Sequence, residues 1–358
     1  MKRVFKVAIA ASVLATPALA VNMENPLYLP AQGQVYSKTS AGVMYKKNDA
    51  TDVLVAKNHD GAEEFPIWRA NEDLGYGITD RLAVYGSFGY TQADDIDRKG
   101  MHLGRVGMTY RMFDDAGSVF DVYADAHLGG ISKMTGSYSS KGFTYDNYSN
   151  GRWGFHAGTK LGHTWGNFTG AMFAEVLQTF GNHNNKIDIR QLKADAAARH
   201  AAINAGAGGP WVEFSCNFND ASSCLLLMMP NLTDEVSVNL KPTTEFNAGF
   251  KTMYQFNARW SVSGGVTYKH HADNGVESIE TKQKNSAGAR AAKGIAEQLA
   301  NLQDGFDEYI FGASVASQLA DCAQVALYGE YTLDTAQRLS QNGSDVKAEV
   351  GVRLNVAF

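Results

Sequence analysis

The last thirteen residues alternate without interruption. Val346, Ala348, Val350, Val352, Leu354, Val356 and Phe358 form one row, and Lys347, Glu349, Gly351, Arg353, Asn355 and Ala357 form the other. Successive side chains of a strand point to opposite faces, so this segment has a wholly apolar face and a largely polar one with charges of both signs. A soluble sandwich could hold such a strand with its apolar face inward. The inverse arrangement puts the apolar face against lipid and the charged face toward a wet interior.

The opposite end of the chain bears on which arrangement applies. Lys2, Arg3 and Lys6 precede the apolar stretch Val7 to Leu14, and Ala18-Leu19-Ala20 follows as a small-residue cleavage site. This pattern reads as a secretory signal peptide over residues 1–20; as a membrane anchor it is too short and is interrupted by Pro17. Removing those three cations from the 32 basic residues leaves 29 against 37 acidic ones, a net charge near −8. That balance argues against a nucleic-acid partner. No other segment approaches the ~18 uninterrupted apolar residues of a membrane helix. The many Gly, Tyr and Phe residues and only 7 Pro suit strands with aromatic girdles.

Period-two runs between turn signals give about twelve strands. In the third, Leu82, Val84, Phe88 and Tyr90 oppose Arg81, Tyr85 and Ser87; in the fourth, Val106, Met108, Tyr110 and Met112 oppose Arg105, Thr109 and Arg111. The rhythm continues through Trp260, Val262, Val266 and Tyr268 to the C-terminal strand. Five tight turns, near residues 79, 115, 166, 258 and 322, interleave with six longer loops. Short turns on one rim and long loops on the other, with charge on one face of nearly every strand, predict an all-β fold. The expected architecture is a transmembrane antiparallel up-and-down β-barrel, a single domain over residues 21–358. Glu72 disagrees: it falls in phase with Ala70, Leu74, Tyr76 and Ile78 on the lipid side, so either a bulge re-aims it or it lies near an interface, and the bulge is the preferred expectation.

Two extracellular insertions, about 181–238 and 272–305, exceed what a barrel needs. Each holds an Ala-rich stretch expected to form a short helix, 187–203 and 287–302. Cys216 and Cys224 could close a short disulfide-bonded loop in an oxidising compartment, leaving Cys322 as a free thiol or an alternative partner. No C-x-x-C or nearby His pair supports a metal, and no cofactor site is read.

The start Asn25-Pro26-Leu27-Tyr28-Leu29-Pro30 and the end Ala348-Glu349-Val350-Gly351-Val352-Arg353-Leu354-Asn355 resemble a Gram-negative outer-membrane β-barrel family of porin-like proteins without assigned function. The terminal aromatic Phe358 is how such barrels usually end. The resemblance implies outer-membrane lipid and lipopolysaccharide as surroundings and the barrel-assembly machinery as a partner of the C-terminal strand. It carries over no functional residues.

Three functions are compatible with this reading. The first is a narrow porin-like channel for passive passage of small hydrophilic solutes, lined by Arg81, Arg105, Arg111, Asp121, Asp125, Arg152, His156, Lys160, Glu175, Glu245, Lys251, Glu308, Glu330, Lys347, Glu349 and Arg353. Arg105 and Arg111 on one strand neighbour Asp121 and Asp125 on the next, giving either a transverse field or a salt-bridged plug. The second is a structural or adhesive barrel presenting large loops. The third, a barrel enzyme, finds only His59-Asp60, Asp94-Asp95 and His270-His271, none with a nucleophile, base and orienting group at recognisable spacing; the chain is therefore not read as an enzyme.

Overall fold

A computed structural model describes residues 22–47, 66–93, 98–128, 134–135, 153–188, 235–273, 276–281, 304–334 and 345–358. Twelve strands form the principal sheet: β1 (Val35–Lys47), β2 (Pro66–Thr79), β3 (Leu82–Ala93), β4 (Arg98–Asp115), β5 (Ser118–His127), β7 (Gly154–Trp165), β8 (Phe168–Thr179), β11 (Thr243–Gln255), β12 (Trp260–Asp273), β14 (Asp304–Ala320), β15 (Ala323–Asp334) and β16 (Asp345–Ala357). Each pairs antiparallel with the next, and β1 pairs with β16 from Tyr36↔Ala357 to Lys47↔Val346. The ring is closed. No edge is left to present unpaired amides to lipid, the condition for a sheet to cross a bilayer.

The remaining strands belong to one rim. The two-residue β6 (Met134–Thr135) pairs with the end of β4. The strands β9 (Asn182–Asp188), β10 (Glu235–Leu240) and β13 (Val276–Thr281) form a separate three-stranded sheet in the order β13-β10-β9. They follow β8, precede β11 and follow β12 respectively, so three adjacent wall strands lead into a second sheet on the long-loop rim.

Polarity is inverted relative to a soluble domain. The largest fully buried side chains are Glu308, Asn355, Thr169, Asp121 and Ser261, all polar, whereas Val106, Met108, Met172, Phe250, Phe311, Leu327, Val350 and Val352 point outward and are exposed. Exposed aromatics ring both ends: Phe113, Trp165, Phe168, Phe256 and Trp260 near the tight turns, and Trp68, Tyr90, Trp153, Phe180 and Tyr331 near the long loops. An apolar band between aromatic girdles, with a polar interior, is the solution for a barrel solvated by acyl chains.

The tight turns fall where the sequence puts them. At the β4–β5 hairpin Ala116 and Gly117 both take positive φ (49° and 84°), the mirror-image geometry that a two-residue hairpin demands. Beside it the β4–β5 register shifts between Arg111 and Phe113, so Met112 and Phe113 both face outward.

Glu72 corrects an expectation. The β1–β2 register runs unbroken through Thr39↔Glu72, and β2–β3 is equally regular at Glu72↔Phe88, so no bulge re-aims the carboxylate. It stays on the outward row between Trp68 and Tyr76, where the hydroxyls of Ser37 and Thr39 donate to its two oxygens. Local hydrogen bonds do the work expected of a bulge.

Some expectations lie outside the described residues: the signal peptide, Arg152, Cys216, Cys224 and the helix over 287–302. The helix expected over 187–203 fails at its start, because Ile187 and Asp188 are strand residues of β9; the rest of it lies outside the described residues. Cys322 has no disulfide partner among the described residues.

Candidate functional site: the lumen and its N-terminal stopper

The inward rows of the twelve strands build the site. Arg111 on β4 donates to Asp121 on β5 at 2.9 Å, and Lys160 on β7 reaches the same carboxylate at 3.2 Å. Asp121 is wholly buried, and these two cations offset the cost of taking its carboxylate out of water. Further along, His156 bridges Asp125 (2.7 Å) and Glu175 (3.1 Å), while the phenols of Tyr85 and Tyr123 donate to the same two carboxylates at 2.8 Å. A third cluster joins Glu245 to Lys269 (3.1 Å) and His271 (3.2 Å), with Glu308 at 3.4 Å from that imidazole. Glu349 accepts from Tyr328 at 2.8 Å and pairs with Arg69 at 3.3 Å.

These networks stiffen the wall; a narrower set faces open space. A cavity of about 630 Å³ is lined by Arg105, His156, Lys160, Glu175, Lys251, Glu330 and Arg353, together with Lys38 and Asp73. Asp121, Asp125, Arg111, Glu245, Glu308 and Glu349 stand behind it in the wall. Arg81 is exposed in the β2–β3 turn. Lys347 is located by register alone, opposite Lys46 and Thr332. The basic and acidic columns of β4 and β5 meet in register at Arg111↔Asp121 and pair there. Arg105 instead donates to Ser87, and Arg105 and Lys251 have no carboxylate in ion-pair range among the described residues.

The segment before β1 enters the bore. Residues 22–34 turn inward from the start of β1 and cross the lumen at the tight-turn end. Asn22 donates to Gln255 on β11 and accepts from Gln324 on β15. Asn25 makes an Asx turn, its side chain accepting from the Leu27 amide at 2.8 Å. Leu27 packs against Val119 and Ala171, and its carbonyl accepts from Arg111 at 2.6 Å. Burial pushes the Tyr28 phenol up, and its ring sits edge-on to Tyr36 at 5.8 Å. At the root of the segment, Gly33 and Gly77 are joined by a 2.8 Å backbone bond; a Cβ on Gly77 would lie 1.9 Å from the Ala31 carbonyl.

Glu24 is the segment's anchor. Arg353 donates to both its oxygens at 3.1 Å, Asn355 at 3.0 Å, Ser314 at 2.8 Å and Ser263 at 3.5 Å. Lys38 lies close enough to act on its charge and donates to the adjoining Met23 carbonyl at 3.4 Å. Burial opposes ionisation of this carboxyl, but Lys38, Arg353 and the Asn355 and Ser314 hydrogen bonds outweigh it and hold the pKa at about 2. Sequence reading missed Glu24, Lys38, Ser314 and Asn355 as a set. The available signal was that Lys38, Ser314 and Asn355 all fall on inward rows and that Glu24 lies in a stretch without strand periodicity.

A closed ring of twelve strands, a greasy exterior and charged groups sealed inside it are now together. The fold is that of an outer-membrane β-barrel. No protein-family model and no curated protein matches the chain. Among solved structures it is similar to an outer-membrane channel from Pseudomonas putida F1, at 12% identity over 94% of this chain and 99% of that one, with a TM-score of 0.49. It is also similar to the NanC porin (9% identity, 88% and 98% of the two chains, TM-score 0.41) and to the CymD monoaromatic hydrocarbon channel (10% identity, 96% and 95%, TM-score 0.38).

Proposed function

We propose that this barrel is a narrow outer-membrane channel for passive passage of small hydrophilic solutes, closed at its periplasmic end by its own N-terminal segment. The observation that carries the reading is the lumen itself. Within a closed ring lies a cavity of about 630 Å³ bordered by ionised groups of both signs, in the size range that holds a small solute. Segment residues Met23, Glu24, Asn25, Pro26 and Tyr28 border it, and side-chain contacts and hydrogen bonds to the ring hold them there. A wall stiffened by buried ion pairs, surrounding a removable obstruction, suits conduction that is gated rather than constitutive. The fit of Phe358 supports a role in assembly: it exchanges backbone bonds with Val35 (2.7 and 2.9 Å) where β16 closes on β1, so the C-terminal strand is the expected docking element for the barrel-assembly machinery.

Planar-bilayer recording tests the channel. The mature chain is expected to give brief openings, and the same chain lacking residues 22–28 a stable, larger open level. If both proteins fold and neither carries a reproducible current, the barrel is a structural anchor for its loops.

A further inference from the structure

The lumen contains a ready-made receptor for a carboxylate, and the protein's own Glu24 is sitting in it. Four side chains from β12, β14 and β16 converge on the Glu24 oxygens, with one guanidinium nitrogen shared between both. The Glu24 side chain retains only 4% exposure, so the site is desolvated as well as charged. Charge-assisted hydrogen bonds in such surroundings are about twice as strong as neutral ones. Nothing in this geometry uses the Glu24 backbone except its path: a free carboxylate of the same size would meet the same donors.

We infer that this cradle is a carboxylate-recognition site, occupied by Glu24 in the closed state, and that a small carboxylate solute opens the channel by taking Glu24's place. The inference rests on the channel reading and adds to it both a solute class and a trigger. Glu24 remains ionised throughout the neutral range, so the competition is between like anions. It is also a competition between a tethered ligand and a free one. A short tether presents its group at an effective concentration on the order of millimolar, so free carboxylates compete in that range and trace amounts do not open the path. Arg105 and Lys251, which line the same cavity without a carboxylate partner among the described residues, give an anion its next favourable contacts once past the cradle.

The binding test needs no current. The mature chain carrying Glu24→Ala, folded in detergent micelles, is titrated calorimetrically with sodium acetate at constant ionic strength. Saturable binding is expected, weaker by about tenfold or more when Arg353→Gln is added, and absent with acetamide. The wild-type chain, its cradle filled, is expected to bind acetate about tenfold less well than Glu24→Ala. In bilayers, replacing chloride by acetate is expected to raise the wild-type open probability severalfold, while Glu24→Ala stays open in either salt. Acetate that binds Glu24→Ala no better than it binds the Glu24→Ala, Arg353→Gln double variant overturns the inference. So does a Glu24→Ala channel that conducts while acetate affects neither assay, which makes Glu24 a structural anchor only. A folded Glu24→Ala chain with no current overturns the trigger, whereas the channel falls only if the chain lacking residues 22–28 is also silent, and the calorimetry still decides the cradle.

Discussion

At the scale of single residues, charge burial separates consequences sharply. Asp121 is sealed between Arg111 and Lys160, so Asp121→Asn leaves Arg111 with Asp114 as its remaining carboxylate and Lys160 facing the cavity without one among the described residues. Unfolding by urea in lipid vesicles is expected to show a loss of about 1–3 kcal/mol. Glu72 is the opposite case, a carboxylate turned toward acyl chains with only Ser37 and Thr39 for company. A charged group on that face weakens a barrel by an amount that falls with distance from the midplane, and less for acids than for bases. Glu72→Leu is expected to stabilise by about 1 kcal/mol in the same assay. Glu24 supplies the pH dependence. Its folded pKa of about 2 lies below the ordinary 4.5, so the latch is fully present above the higher value and is lost as pH falls toward the lower one. Open probability is therefore expected to be flat from about pH 8 to about pH 5 and to rise below about pH 4.

At the scale of elements, strands were legible because each carries its own signal. The alternation of Val346 to Phe358, or of Leu82 to Tyr90, needs no knowledge of the rest of the chain, and the turn at Ala116-Gly117 is equally local. Which side is polar follows from the same rows, and Arg353 and Glu175, both on polar rows, border the cavity. What could not be read was pairing across the bore. Glu24 meets Arg353 over a separation of more than three hundred residues, and no periodicity marks residues 22–34, which have neither strand nor helix. Glu72 shows the complementary failure: the phase was right, but the choice between a bulge and two neighbouring hydroxyls depends on register with β1. The seat of the segment also rests on one close backbone approach. Gly77→Ala would drive a methyl into the Ala31 carbonyl, so the segment is expected to leave its groove. Limited proteolysis of the folded barrel should then cut within 22–34 several times faster than in the wild type, with the strands still protected.

For the whole molecule, the stopper's attachments sit on both sides of one seam. Lys38 belongs to β1, Arg353 and Asn355 to β16, and these two strands are the first and last of the ring. The receptor for Glu24 lies on β12, β14 and β16, while Glu24 itself is tethered to β1, so the latch spans the seam between the first and last strands. Joining the last strand to the first is therefore also what brings the tethered carboxylate beside its receptor. On the proposed reading, circular closure of the wall and occlusion of the bore are one event, and the barrel enters the bilayer already corked.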